Sequence, residues 1–158
     1  MTMTSETTVP EYIIRAMQAK DEGEVLAMMR VFYASPAVLS NGTEDIFRRD
    51  LAFCLSDSPL LSGYVFAAAN RLLGYGMVAP AFLTEYGGPC LWIEDLYVQP
   101  EFRGHGLGRA FFRFIEERYP EIRIFRLELE AENAGAARLY RRCGYDPLPY
   151  REMKKVRK

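Results

Sequence analysis

Arg103-Gly104-His105-Gly106-Leu107-Gly108 decides how this chain is read. A strand-like run precedes it, Leu91-Trp92-Ile93-Glu94-Asp95-Leu96-Tyr97-Val98. A helix-like run follows, Arg109-Ala110-Phe111-Phe112-Arg113-Phe114-Ile115-Glu116-Glu117-Arg118. Glycines at alternate positions let backbone N–H groups approach a ligand, because no Cβ blocks them. A helix starting there adds unpaired N–H donors and a partial positive charge. Strand, glycine loop and helix start together make an anion site suited to a pyrophosphate.

Three glycine-loop patterns compete for this stretch. A Walker loop requires Gly-Lys-Ser/Thr after four spacer residues, and no such tripeptide follows. A dinucleotide fingerprint requires a third glycine three residues after Gly106, where Arg109 stands. The pattern Arg/Gln-x-x-Gly-x-Gly/Ala fits without a gap at Arg103, Gly106 and Gly108. A glycine-rich turn without a ligand is the plain alternative. The fitting pattern resembles the acetyl-CoA loop of the GNAT superfamily of N-acetyltransferases.

The resemblance extends along residues 12–156. Asn133, Ala136, Leu139, Tyr140, Gly144 and Tyr145 are similar to the family's "N-x-x-A-x-x-L/F-Y-x-x-x-G-F/Y" helix. Ile14-Arg15 with Asp21 resembles its "I-R-x-A-x-x-x-D" opening, with Met17 in place of alanine. The strand carrying Glu94-Asp95 is similar to that of spermidine/spermine-type amine acetyltransferases.

At 158 residues the chain is the size of one domain with a substantial core. Its 49% hydrophobic and 26% charged residues describe a soluble globular protein. No 18-residue apolar run predicts a membrane span. Residues 1–10 are polar and read as a flexible tail, not a signal peptide. Cys54, Cys90 and Cys143 lack metal spacing and read as reduced thiols, hence a cytoplasmic location. A single histidine argues against a structural zinc site. Net charge −1 gives no overall attraction to nucleic acid. The basic run at 154–158 reads as a solvated tail.

Residues 12–17 read as a first strand. Asp21 is placed to cap a helix over 22–33, with Val25, Met28, Met29 and Phe32 at helical spacing. A second helix, 43–55, should bury Ile46, Phe47, Leu51 and Cys54. Residues 62–69 and 71–79 read as a hairpin. Residues 80–89 read as a connection before the strand of Glu94. Residues 127–133 read as strand plus turn, and 150–156 as a last strand. The expectation is one α/β domain over 11–158, a GNAT-like fold. Its central mixed, twisted sheet should have about six to seven strands with helices on both faces.

Acetyl transfer to an amine needs a neutral nucleophile, yet a lysine-like amine with a pKa of about 10.4 is protonated at neutral pH. A base must take that proton, directly or through water. Alternation places Trp92, Glu94, Leu96 and Val98 on one strand face, and Asp95 and Tyr97 on the other. A carboxylate in an apolar strand is costly to bury, and burial raises its pKa. Glu94 is therefore the candidate base; a strand-end carboxylate facing solvent is the alternative. Asp95 reads as a structural or substrate-entrance charge.

Asn133, Ala137 and Tyr140 share one helix face. Ala136, Leu139 and Cys143 form an adjacent stripe that reads as core, so Tyr140 should be angled away from it. The resemblance implies that Tyr140 protonates the departing thiolate. It implies that Asn133, also a preferred N-cap residue, contacts the pantetheine arm. It implies that backbone groups of Leu96, Tyr97 and Val98 pair with pantetheine amides like an added strand. Gly104, His105, Gly106, Leu107 and Gly108 would bind pyrophosphate through N–H groups, and Arg103 and Arg109 through guanidinium groups. Cys143 reads as an inert core thiol.

Glu22, Glu24, Glu44, Asp45 and Asp50 would attract a cationic amine, or form ordinary solvated faces. The function expected is acetyl-CoA-dependent acetylation of a small cationic, polyamine-like primary amine through a ternary complex. No metal, nucleic acid or membrane is expected to take part, and the protein is expected to be a homodimer. A protein or peptide amine as acceptor, or a non-enzymatic acyl-CoA-binding domain, are the alternatives.

Overall fold

The computed structural model describes residues 8–39 and 42–157. Residues 1–7 of the expected tail, and Lys158 of the basic run, lie outside them. The elements are β1 (Tyr12–Ala16), α1 (Glu22–Tyr33), α2 (Glu44–Cys54), β2 (Ser62–Ala68), β3 (Leu72–Leu83), β4 (Gly88–Val98), α3 (Leu107–Arg118), β5 (Ile124–Leu127) and α4 (Ala134–Arg142). The strands form one sheet in sequence order. β1 to β4 are antiparallel to their neighbours, and β5 runs parallel to β4.

Val25, Met28 and Met29 of α1 are buried at helical spacing, with Phe47 and Leu51 of α2. They pack with Val65, Tyr75, Met77 and Tyr97 on one sheet face. Leu107, Phe111, Phe112 and Ile115 of α3 pack with Tyr64, Phe66, Leu91 and Ile93 on the other. This is an α/β fold with helices on both faces of a mixed sheet.

Several details differ from the sequence reading. Ile46 is 45% exposed; Phe47 and Leu51, with the half-buried Cys54, make the contact of α2 with the core. Thr43 caps α2 through Oγ1, which accepts from Ile46 N at 3.3 Å. Asp21 does not cap α1 with its side chain. Its buried carboxylate accepts two bonds from Arg15, at 2.6 and 2.9 Å, and one from Gln18 N at 2.8 Å. The Arg15 guanidinium holds Asp21 below the usual carboxylate range. The segment 80–89 is mostly strand. β3 runs on through Pro80, whose missing N–H is harmless because pairing with β2 has ended at Ser62–Val78.

The sheet of the described residues has five strands, not six to seven. Residues 150–156 form no strand and are exposed. Tyr150, Met153 and Val156 recur every third residue, whereas a half-buried strand requires every second.

The tip of the Phe111 ring of α3 reaches β3 because residue 76 is glycine. A Cβ there would stand 2.6 Å from Phe111 Cε2, and the ring is fully buried. Gly76→Ala should therefore cost about 1–3 kcal/mol, the usual penalty of overpacking. The check is urea denaturation; an unchanged midpoint would show that the ring can yield.

Candidate active site

Strand β4 carries one residue too many for its partner. Met77 faces Asp95 and Val78 faces Ile93, so Glu94 has no opposite number. This is a β-bulge, and it resets the alternation of faces. Leu91 and Ile93 consequently share a core with Leu96 and Val98, while Trp92 between them points to the opposite side. The expected common face of Trp92, Glu94, Leu96 and Val98 does not exist. Glu94 stands at the surface.

Asp95 is the buried member of the pair, with 4% of its surface exposed. Tyr33 Oη donates to its Oδ1 at 2.9 Å, and Tyr75 Oη to its Oδ2 at 2.8 Å. Asp95 is therefore not a charge at a substrate entrance. It joins α1, β3 and β4. Burial pushes its pKa up to about 6, against the pull of the two hydroxyls. The native state thus disfavours the charged form, whereas an unfolded aspartate titrates at about 3.9. Stability should fall as pH rises from about 4 through 6, by roughly 3 kcal/mol at pH 7. Asp95→Asn should flatten that slope. Urea unfolding at pH 5 and pH 7.5 checks this; the same slope in both proteins would contradict it.

β4 and β5 pair only from Cys90–Ile124 to Ile93–Leu127. Beyond that point β4 has an open edge, and its hydrogen-bond phase says which groups face it. Gln99 N donates to Leu73 O at 2.9 Å. Bonded and non-bonded pairs alternate in an antiparallel ladder, so Tyr97 and Asp95 also bond to β3. Leu96 and Val98 then turn their N–H and C=O groups to the open side. Tyr97 does not, which corrects the expectation of a free backbone at all three residues. Arg103 Nε donates to Val98 O at 2.8 Å, and its guanidinium lies 5.4 Å from the Tyr97 ring centre. Arg103 is thus tied to the end of the strand.

The glycine loop continues from there. Gly104 and Gly106 have φ of 78° and 86°, the left-handed region that favours glycine. A Cβ on either would meet nothing within 4 Å. The space beside them is open, and Gly106 is the N-cap of α3. The first N–H groups of α3 have no partner within the helix. Leu107 buries its side chain in the core, and Arg109 is exposed. Gly108 has a different role: a Cβ there would stand 2.6 Å from Leu139 Cδ2. Its bare backbone lets α4 rest on the start of α3.

Asn133 Oδ1 accepts from Ala136 N at 3.1 Å, so it caps α4. Tyr140 is not angled away from the core. Its ring meets Phe112 edge-on at 5.7 Å, in the same cluster as Leu139 and Cys143. The apolar side of α4 is broad enough to include all three. Burial raises the Tyr140 pKa, so the hydroxyl keeps its proton at neutral pH.

Carboxylates gather near Glu94. Loss of hydration, and then the charges of Asp50 and Glu152, raise its pKa. The adjacent Glu152 carboxylate, with burial and Glu94, pushes Glu128 up to about 7. Glu128 and Glu152 were not legible as site residues, since they belong to no motif and meet only through the path of the C-terminal segment. Tyr150 anchors that segment, its hydroxyl donating to Glu85 at 2.9 Å. Of the acidic residues in α1 and α2, Glu44 pairs with Arg30 and Arg48, and Glu22 lies 3.7 Å from Arg48. Glu24 accepts from Leu72 N at 2.8 Å. These three are structural partners; Asp45 has no ion-pair partner among the described residues, and Asp50 is the member of the five whose charge raises the Glu94 pKa.

Residues 36–145 match the acetyltransferase (GNAT) family. Among solved structures, a possible acetyltransferase from Clostridium difficile 630 shares 18% identity at a TM-score of 0.78, over 93% of this chain and 98% of its own. An aminoglycoside N-acetyltransferase in complex with CoA shares 13% at 0.79, over 96% and 98%. A transcriptional regulator from Bacillus halodurans C-125 shares 18% at 0.74, over 92% and 99%. At these identities the structural likeness establishes the fold.

Proposed function

The chain belongs to the acetyltransferase (GNAT) family, and on that footing we propose that it transfers an acetyl group from acetyl-CoA directly to a primary amine within a ternary complex. The acceptor is a small cationic, polyamine-like molecule. The observation that carries this reading is the bulge in β4. It lifts Glu94 to the surface near Asp50 and Glu152, immediately before the open edge and the glycine loop.

The chain's groups divide the work as follows. Backbone N–H groups of Gly104, Gly106 and the first turn of α3 hold the pyrophosphate. Open backbone groups of Leu96 and the N–H of Val98 pair with the pantetheine amides, and an N–H there polarises the acetyl carbonyl. Glu94 takes the ammonium proton, directly or through water, which frees the nitrogen lone pair to attack the carbonyl carbon. As the C–S bond breaks, the Tyr140 hydroxyl gives its proton to the sulfur, and the second proton shed by the nitrogen returns through water to the Tyr140 oxygen. The products are an acetamide and CoA.

A donor used only while the thiolate leaves affects the transition state and spares ground-state binding. Tyr140→Phe should lower kcat about tenfold and leave the acetyl-CoA KM within about twofold. An unchanged kcat would make Tyr140 a packing residue. The function itself is tested by CoA release from acetyl-CoA with a panel of monoamines, diamines, aminoglycosides and lysine peptides. Turnover should be greatest with diamines. Turnover with peptides alone, or with nothing, would overturn the proposed acceptor class.

A further inference from the structure

Four of the 20 Lys and Arg residues are lysines: Lys20, Lys154, Lys155 and Lys158. A guanidinium keeps its proton, whereas a lysine amine can lose one and attack a carbonyl carbon. Three of the chain's four acylable side chains therefore stand in its last five residues. They follow directly on the segment that carries Glu152 to Glu94 and Glu128.

That segment runs along the sheet in the direction of β4. Tyr150 Oη donates to Glu85 Oε1 at 2.9 Å, and Glu85 Oε2 lies 4.0 Å from Arg126. Arg126 is in register with Trp92, and its guanidinium lies 5.7 Å from that ring. Tyr150 thus stands at the level of Trp92 and Arg126. The Glu152 carboxylate lies against that of Glu128 and its charge is felt at Glu94, each two residues further along. The next step of the same length reaches Leu96, where β4 has parted from β5. Lys154 is two residues past Glu152. Tyr150 and Glu152 both reach the sheet, and Met153 is 98% exposed. Side chains of a non-helical, drawn-out chain alternate between two sides. Lys154 therefore returns to the side of Glu152, and Lys155 faces away with Met153. Lys154 is exposed and takes part in no ion pair among the described residues, so its flexible four-carbon stem can turn its amine toward the opening.

We propose that the protein acetylates its own Lys154, the C-terminal segment serving as a tethered acceptor beside Glu94. The inference rests on acetyl-CoA being the acetyl donor. Glu94 takes one proton from the Lys154 ammonium, directly or through water, and the Nζ lone pair attacks the acetyl carbonyl carbon. The C–S bond breaks as the sulfur takes the Tyr140 proton, and the second nitrogen proton returns through water to the Tyr140 oxygen. The products are an acetylated, uncharged Lys154 and CoA. A short tether gives the amine an effective concentration of about millimolar, without any acceptor in solution.

The experiment is to incubate the full chain with acetyl-CoA and no added amine, and to map acetyl groups by mass spectrometry over time. Lys154 should be labelled at least about tenfold faster than Lys20 or Lys155, at a rate that does not change with protein concentration. Lys154→Arg keeps the charge and should abolish that label, with a thermal melt like that of the wild type. Glu94→Gln should slow labelling of Lys154 about a hundredfold and leave the slow chemical labelling of Lys20 as it was. Label spread evenly over the lysines would overturn the proposal. So would a rate that rises in proportion to protein concentration, which means that one molecule acetylates another. Unlabelled Lys154 in a preparation that acetylates diamines would overturn this inference and leave the proposed function standing. Neither label nor CoA release with any amine would remove the acetyl-CoA reading first, and this inference with it.

Discussion

Gly106→Asp should reduce CoA binding by at least about a hundredfold while the protein stays folded. Two properties of the position separate these effects. Its φ of 86° is unfavourable for most side chains, but aspartate visits that region more readily than others. A Cβ there meets nothing within 4 Å, so no packing is disturbed. Aspartate is also a preferred N-cap residue, and its charge suits a helix start. The fold therefore loses about 1–2 kcal/mol, the cost of a side chain in the left-handed region. The ligand loses much, because the new carboxylate would occupy the N–H groups proposed for the pyrophosphate and repel the phosphates. Calorimetry with CoA, alongside a thermal melt, checks both halves. Unaltered affinity in a folded variant would sink the loop as the phosphate site.

Glu94→Gln should lower kcat/KM for a diamine about a hundredfold at neutral pH, within the range expected of a lost general base. The raised pKa sets the shape of the pH profile. A base acts only when deprotonated, so the wild-type rate should climb as pH rises through the Glu94 pKa. Glutamine keeps the shape and cannot titrate, so that limb should disappear. The limb from the amine's own deprotonation remains, at higher pH. A cationic chain should suffer more than a neutral one, because a negative charge near Asp50 and Glu152 is lost as well. The measurement is the pH profile of kcat/KM for both proteins with a diamine and a neutral-chain monoamine. Identical profiles would leave Glu94 a surface carboxylate with no part in the chemistry.

Much of this arrangement was legible in the residues. The spacing of Arg103, Gly106 and Gly108 placed a strand, a loop and a helix, and all three are present. The periodicity of Val25, Met28 and Met29 placed α1 to the residue. The phase of β4 was not legible. A bulge at Glu94 needs no glycine and leaves no compositional mark, so strict alternation carried the wrong face past it. Tyr140 was misplaced for a related reason, since helical spacing gives the direction of a stripe and not its width. The company of Glu128 and Glu152 depends on where an irregular segment runs, which no local pattern encodes. Arg15 and Asp21 belong to a legible motif, but their ion pair emerges only when β1 and the start of α1 meet.

The parting of β4 from β5 after Ile93 has a consequence for traffic. The sheet is a wall between two rooms. One room contains the glycine loop, α3 and α4; the other is furnished by α1 and α2, with Asp95 at its back and Glu94 at its doorway. The open edge is a window in that wall. On the proposed reading the donor occupies one room and the acceptor the other, and only the reacting atoms meet in the opening. Neither compound must pass the other to enter or leave. Changes that reshape the acceptor's room, in α1, α2 or the C-terminal segment, leave the donor's room untouched, so acceptor choice is free to drift while the acetyl source stays fixed.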